Sequence, residues 1–153
     1  MDEAGARTVA TTVGTLYHSV HDLMREQVRG IDSDTLNWKP LPLANSIAVL
    51  IVHSLAAERD ALRAVRLLTS ERDREAEFKS KLDAEDLLAL LDQADRELGE
   101  LRGAMTAADL TEMRRRQDRP PKLGLEWLLS NYGHAREHLA QMELTKQLYD
   151  SRT

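Results

Sequence analysis

The sequence predicts an all-α protein whose four long helices form an antiparallel bundle, and composition and chain breaks both indicate this. Ala, Leu, Glu and Arg, which are good helix formers, recur throughout, whereas only 4% of the residues are aromatic. Seven glycines and four prolines are too few for a β-sandwich, a barrel or a disordered chain. The prolines occur in two places, Pro40/Pro42 and Pro120/Pro121, which mark two breaks between helices.

The first two helices are predicted from apolar residues that recur at three- and four-residue steps. The first covers about residues 8–30, and Gly30 is a suitable residue to end it. The second starts at Asn45 or Ser46, either of which can cap a helix, and reaches about residue 69. The prolines between them allow the chain to turn back, so the two helices can pack side by side.

The last two helices are predicted with clearer boundaries. Asp83 can accept a hydrogen bond as the N-cap of the third helix, and Asp86 adds an acid to its first turn, where the helix dipole favours negative charge. Leucines at helical spacing continue this helix to Gly103. The fourth helix covers about residues 122–149, so the lengths suit a four-helix bundle.

Two connections separate these helices. Residues 104–121, between the third and fourth helices, are long for a bundle connection, and Thr106 and Asp109 within them can cap a short extra turn. Residues 71–81 carry many charges and little apolar content, so they are interpreted as a solvated linker.

Length, charge and composition also bound the function. A chain of 153 residues is the size of one domain, so residues 1–153 are expected to form a single unit. The net charge of −5 gives no reason to bind nucleic acid, and the longest apolar run, residues 47–52, is too short to cross a membrane. The absence of cysteine removes disulfides and thiolate nucleophiles. With no visible signal peptide, these features predict a cytoplasmic protein.

Three of the five histidines form a candidate metal site. His134 and His138 lie one turn apart on the same face of the fourth helix, and that face also carries Trp127 and Met142, so it is predicted to be buried. His53 lies on the apolar face of the second helix. Three imidazoles from two facing helices, with an open position, suit Zn²⁺, Ni²⁺ or Fe²⁺. The alternative is that these are core histidines satisfied by hydrogen bonds.

Three further residues are candidates for a pocket beside these histidines. Gln27 falls on the apolar face of the first helix near the level of His53, and Asn131 lies one turn before His134. Trp38 follows the first helix and can cover one end of the bundle. Their alternatives are a polar residue at the bundle edge, a hydrogen bond between helices, and a hydrophobic plug without a ligand role.

The other ionisable residues are interpreted without a role in the site. His18 and His21 are expected to be mostly solvated, and the alternative for His21 is a place in the pocket. Asp60 is expected to cap a helix or form a salt bridge with an arginine, and its alternative is to support a metal ligand. The chain has one basic cluster, which is interpreted as a solvated loop that can also bind an anion near the pocket. The cluster comprises Arg114, Arg115, Arg116, Arg119 and Lys122.

The order and spacing of several short motifs resemble the DinB/YfiT-like superfamily over nearly the whole chain. The motifs are Leu36-Asn-Trp38-Lys-Pro40, Asn45-Ser-Ile47, Val52-His53-Ser, Leu125-Glu-Trp127-Leu-Leu and His134-Ala-Arg-Glu-His138-Leu-Ala-Gln141. The resemblance implies a four-helix bundle that binds one divalent metal through His53, His134 and His138. Homodimers recur in this family, which makes a second copy of the chain a candidate partner.

The resemblance also implies a range of functions. The family includes thiol-dependent S-transferases that use low-molecular-weight thiols, so the leading hypothesis is a metal-dependent transferase acting with such a thiol on a small-molecule substrate. A second hypothesis is a non-catalytic, stress-associated protein that binds a metal or another ligand. A third is a helical interaction module without metal.

Overall fold

The computed structural model describes residues 1–152 and is mostly helical. Four long helices are joined by three short ones and a two-stranded antiparallel hairpin in which Met113 pairs with Leu123. In chain order the elements are α1 (Glu3–Glu26), α2 (Ser33–Asn37), α3 (Ile47–Val65), α4 (Arg74–Phe78), α5 (Ala84–Gly103), α6 (Ala107–Thr111), β1 (Met113–Arg114), β2 (Lys122–Leu123) and α7 (Gly124–Asp150).

Six of the seven helices begin at a residue whose side chain accepts a hydrogen bond from a first-turn backbone N–H. Such caps satisfy amide groups that would otherwise lack a partner. The predicted caps Ser46 and Asp83 are confirmed, and Thr106 and Asp109 form the predicted short turn as a reciprocal capping box. The six caps are Asp2, Asp32, Ser46, Asp73, Asp83 and Thr106.

The ends of two helices differ from the prediction. Helix α1 begins at Glu3 rather than near residue 8, because the Asp2 side chain already caps the backbone N–H of Gly5. It ends at Glu26, and Gly30, with φ of +73°, lies in the turn that follows. Helix α3 ends at Val65 rather than near residue 69, since Leu67 adopts the left-handed φ of 56°.

The four long helices contact each other in a closed ring: α1 with α5, α5 with α3, α3 with α7, and α7 with α1. Their apolar faces bury two clusters. The first contains Leu36, Ile51, Leu91 and Met142, and the second contains Tyr17, Leu62, Leu98 and Trp127. The half-buried Tyr132 packs against both clusters.

Polar side chains lie between the two apolar clusters along α3, α5 and α7, and His21 of α1 lies next to Val20, where the first cluster begins on that helix. On α3, for example, Ser54 and Glu58 lie between Ile51 of the first cluster and Leu62 of the second. We call this set the central polar layer. Its members are His21 on α1, Ser54 and Glu58 on α3, Asp95 on α5 and Asn131 on α7.

The interpretation of residues 71–81 as a solvated linker is only partly right, because most of these residues are exposed but the stretch also packs against the long helices. This stretch contains α4, and the Glu77 side chain is buried against α3, where it accepts hydrogen bonds from Arg72 and His53. The run looks solvated because it is charged, but opposite charges within it neutralise each other. Ion pairing therefore allows a charged segment to pack against the long helices.

The basic cluster is also only partly a solvated loop. Arg114 is buried, and its guanidinium donates to the carbonyl oxygens of Val65 and Ala108. Arg116 is buried and donates to Asp60, which confirms the predicted salt bridge of that aspartate. Both guanidinium groups are tolerated in the interior because acceptors surround them.

None of the helices described in residues 1–152 is long and apolar enough to cross a membrane.

Candidate metal centre

Three histidine side chains meet where α3 and α7 pack together. The Nε2 atoms of His134 and His53 are 3.2 Å apart, and those of His138 and His134 are 3.1 Å apart. One ring nitrogen from each residue lies within 4.8 Å of the other two. The structure therefore brings together the three residues that the sequence singles out as candidate metal ligands.

Helical geometry explains this convergence. His134 and His138 are separated by one turn of α7, so both rings leave the same face of that helix. His53 leaves α3 toward the same point, because α3 and α7 are in direct contact. His53 is buried and the other two rings are half-buried, so the cluster is accessible from one side.

His53 is held by residues from the segment around α4. Its Nδ1 lies 2.8 Å from Oε2 of Glu77, and the ring stacks against Phe78 with 5.0 Å between ring centroids. Arg72 donates to both carboxylate oxygens of Glu77 at 2.6 and 2.8 Å. Burial alone would raise the pKa of Glu77, but the hydrogen bonds from Arg72 and His53 lower it, so the carboxylate is ionised at neutral pH.

The ring protons are assigned from the shortest contact of each nitrogen: Arg72 Nη2 lies 3.2 Å from Nδ1 of His53, but the carboxylate of Glu77 is closer, at 2.8 Å. A carboxylate can only accept, so Nδ1 of His53 donates to Glu77 and its Nε2 keeps a lone pair. Nδ1 of His138 lies 2.8 Å from Oε1 of Gln141, a carbonyl oxygen, so His138 has the same tautomer. Two Nε2 lone pairs thus point at His134, whose Nε2 can offer at most one proton. A cation would satisfy all three nitrogens, so the donor set fits a divalent metal.

The local electrostatics favour the neutral, metal-binding form of His53 and His134. Burial is the main cause that lowers the pKa of His53. Burial, followed by the neighbouring rings of His138 and His53, lowers the pKa of His134 to about 4. The lone pairs are therefore available at neutral pH, because protonation would place positive charge in a desolvated cluster.

A cavity of about 140 Å³ adjoins the histidine cluster. Ala57 and Trp127 supply apolar surface to this cavity, and the candidate metal ligands His53 and His134 also line it. The remaining lining residues are cationic or polar and neutral. The lining residues are His53, Ala57, Arg72, Arg74, Arg116, Arg119, Lys122, Trp127, Ser130, Asn131 and His134.

Of the three predicted pocket residues, the structure places only Asn131 at this cavity. Gln27 is half-buried in the turn that ends α1. It is not among the described residues that line the cavity. Trp38 packs edge-to-face against Tyr149 near the end of α7, with 5.5 Å between ring centroids. It therefore covers one end of the helices, which is the alternative role given above.

The expectation that His21 is solvated is wrong. Its side chain is 0% exposed, and Nε2 donates to Glu58 at 2.7 Å while Nδ1 donates to Asp95 at 2.6 Å. Burial alone would lower the pKa of His21, but the two carboxylates outweigh it and raise the pKa to about 9. The apolar stripe of α1 places His21 at its border, but only tertiary packing brings acids from α3 and α5 to both ring nitrogens.

His18, His21 and Asp95 form a second group whose ligand atoms lie within 4.8 Å of one another. The guanidinium of Arg25 also donates to Asp95, so a cation already occupies this carboxylate. Because both ring nitrogens of His21 serve as donors to acids, the group is best described as a buried ion-pair network.

Sequence reasoning missed Glu77 and Arg72, and it gave Gln141 no role. Two signals in the charged run could have pointed to α4. Asp73 is a suitable N-cap, and Phe78 is the one phenylalanine in the chain. Together they indicate a short helix that packs against the protein through an apolar side chain. The pairing of Glu77 with His53 depends on how that helix folds back onto α3.

Comparisons with known proteins agree with this architecture. A sequence model of the DinB superfamily matches residues 16–142. A conserved protein from Enterococcus faecalis has a TM-score of 0.76 at 15% identity, over 93% of this chain and 97% of that chain. A DinB-like protein from Bacillus cereus has a TM-score of 0.69 at 16% identity, over 84% of each chain. At these identities the likeness concerns the fold alone. A search of curated proteins finds no significant match.

Proposed function

Because this chain belongs to the DinB superfamily, we propose that it is a divalent-metal-binding protein whose ligands are His53, His134 and His138. One observation carries the proposal: three Nε2 atoms converge with too few protons to satisfy one another. The carboxylate of Glu77 behind His53 supports it, since histidine ligands commonly donate their other N–H to such a group. Zn²⁺, Ni²⁺ and Fe²⁺ are the metals that suit this donor set.

We further propose that the protein acts as a transferase with a low-molecular-weight thiol. A divalent metal held by three imidazoles supplies Lewis acidity, which favours the ionised form of a thiol near neutral pH. The chain has no cysteine, so the sulfur would come from a substrate. The chain's own residues would orient the reactants: Glu77 fixes the ring of His53, and the cavity beside it has room for a small molecule.

One observation favours a second candidate, a non-catalytic binding protein. Within the described residues, the cavity lining contains no carboxylate that could act as a general base. A site whose polar groups are mainly cations can hold a ligand without transferring protons. The two candidate functions therefore share one site and differ in whether a reaction takes place there.

The ring of helix contacts supports a finer description of the architecture. We propose an up-down-up-down four-helix bundle that forms one domain over residues 1–153, because each long helix contacts two others and Tyr132 joins both apolar clusters. A homodimer is the proposed oligomer.

Cobalt titration of tag-free protein tests both metal binding and thiol chemistry. One equivalent of Co²⁺ should give visible absorption bands, and His134→Ala should weaken binding by about a hundredfold because it removes a ligand. His18→Ala is the matched control, since His18 lies outside the cluster on α1. Similar affinities for the two variants, or no bands in the native protein, would contradict the proposed site.

The same titration separates the two candidate functions. A low-molecular-weight thiol added to the cobalt protein should produce a sulfur-to-metal charge-transfer band if the open position accepts sulfur. The same spectrum should be absent in His134→Ala. A cobalt spectrum that no thiol alters would refute the transferase proposal and leave the binding protein.

The support that Glu77 gives to His53 leads to a separate prediction. Glu77→Gln keeps the side-chain size but removes the charge that holds Arg72 and orients His53, so metal affinity should fall about 10- to 100-fold. Glu75→Gln is a matched control on the same short helix, where Glu75 is exposed and pairs only with Lys79. Competition with a chromophoric chelator measures both affinities, and an equal change in both variants would show that Glu77 has no special role.

A further inference from the structure

The cavity beside the three histidines has an unbalanced charge. Five cationic side chains line it, and the lining described in residues 1–152 includes no aspartate or glutamate. The five are Arg72, Arg74, Arg116, Arg119 and Lys122. Since the whole chain carries a net charge of −5, this concentration of positive charge is local.

Two of these cations are already neutralised. Arg72 donates to Glu77, and Arg116 donates to Asp60 and to the carbonyl oxygen of Ala57. These contacts hold the two guanidinium groups in place at the inner side of the cavity, where Arg116 is buried. They form a fixed wall rather than mobile surface charges.

The other three cations retain capacity for an anion. Arg74 lies over the ring of Phe78, and Lys122 lies over Trp127 and 3.5 Å from the exposed Glu126. In the described part of the chain, no carboxylate lies within 4.0 Å of the Arg74 or Arg119 guanidinium. Arg74 and Arg119 therefore add positive charge that no ion pair among the described residues neutralises, and such charge beside a cavity raises the local concentration of anions.

Asn131 lines the cavity and carries one polar atom without a partner. Its side chain is 3% exposed, and Oδ1 has no hydrogen-bond partner in the described structure. The orientation of the amide is fixed, because the Tyr17 hydroxyl donates to the carbonyl oxygen of Leu128 and must therefore accept from Asn131 Nδ2. A buried oxygen without a donor is costly, and a ligand hydroxyl or N–H would satisfy it.

The size and position of the cavity limit the ligand. A volume of about 140 Å³ is well below the roughly 300–1,000 Å³ of pockets that enclose drug-sized molecules, so it suits one small polar group. His53 and His134 line the same cavity, so a group bound there lies next to the histidine cluster.

We propose that this cavity binds the carboxylate or phosphate group of a small-molecule ligand and thereby positions the rest of that molecule at the three histidines. The positioning part rests on the proposed metal function, but the anion site does not. Arg119 and Lys122 would contact the anion, Arg72 and Arg116 would form the fixed wall, and Asn131 Oδ1 would accept a hydrogen bond from a neighbouring hydroxyl or N–H.

Anion binding to metal-free protein tests this proposal independently of any metal chemistry. Chelator-treated native protein and the His138→Ala variant, which changes a candidate metal ligand outside the cavity lining, are titrated by calorimetry with inorganic phosphate and, separately, with malonate, at constant ionic strength. Saturable one-site binding of either anion to both proteins is expected. Binding of phosphate alone or malonate alone identifies the preferred group, and binding of neither overturns the proposal. Failure of cobalt binding with intact anion binding would refute only the metal function.

A matched pair of arginine variants locates the anion. Arg119→Gln should weaken binding of the preferred anion about tenfold, because it removes a charged hydrogen-bond donor from the cavity. Arg115→Gln, which changes an exposed arginine of the same connection that does not line the cavity, should have little effect. Equal weakening in both variants would show general attraction to the basic connection and would overturn the assignment to this cavity.

Discussion

Replacing His21 by alanine is expected to lower the free energy of unfolding by about 3–5 kcal/mol. The imidazole is fully buried and joins Glu58 on α3 to Asp95 on α5. Removing it leaves a cavity and strips Glu58 of its hydrogen-bond donor in the protein interior. Burial raises the pKa of Glu58, so its carboxyl can take up a proton when His21 is removed. Protonation would avoid a buried charge, but the cavity and the lost hydrogen bonds would still lower stability.

His18→Ala is the matched control for this variant. His18 donates to the same oxygen of Asp95 at 2.7 Å, but its side chain is 38% exposed, so its loss should cost less than about 1 kcal/mol. Urea denaturation at pH 7 measures both values. Comparable losses in the two variants would show that the buried contact with Glu58 contributes little.

The same network should make stability depend on pH. The folded-state pKa of His21, about 9, lies above the ordinary value of 6.5, so its stabilisation is complete below pH 6.5 and is lost as pH rises through about 9. Glu58, Asp95, Arg25 and His18 face or adjoin this network, and the two carboxylates keep the imidazolium charged. Native protein should lose about 3 kcal/mol relative to His21→Ala over this range. Parallel pH profiles would contradict the assignment.

Gly124→Ala is expected to destabilise the protein by about 3 kcal/mol or more. A Cβ atom at this position would lie 1.8 Å from the backbone carbonyl oxygen of Asp109 and 3.2 Å from Cγ1 of Val65. The closest atom belongs to the backbone of α6, which cannot move aside as the end of a flexible side chain would. The start of α7, which carries His134 and His138, would therefore have to move.

Gly133→Ala provides the control within the same helix. Nothing lies within 4 Å of a Cβ atom built at Gly133, so alanine there should raise stability by about 1 kcal/mol through its better helix propensity. Thermal unfolding of the two variants should thus shift in opposite directions. A stabilising effect at Gly124 would show that α6 and α7 can separate without cost.

The long helices and the histidine cluster were accessible from the sequence because both depend on local regularities. Apolar spacing and the caps Ser46 and Asp83 define where helices lie. A four-residue step then places His134 and His138 on one face, and the apolar face of α3 places His53 opposite. Spacing alone left separate core histidines as an alternative, and the resemblance to the superfamily implied that the three residues form one site.

The supporting residues were not accessible because their roles depend on distant partners. Glu77 and Arg116 occur in charged stretches that have the composition of solvated surface, yet His53 and Asp60 pair with them in the interior. His21 likewise becomes a core residue only when α3 and α5 bring acids to it. Sequence patterns report hydrophobic burial well, but they do not show which charges will be neutralised after folding.

The central polar layer has a consequence for helix alignment. Sliding one long helix past its neighbours by a turn, about 5.4 Å, would keep leucine against leucine in the two apolar clusters. The same slip would move Glu58 away from His21 and Asn131 away from Tyr17, leaving buried charges and amides opposite hydrocarbon. The observed register keeps both of these hydrogen bonds. That register also sets His53 level with His134, so the polar layer fixes the height at which the three imidazoles meet.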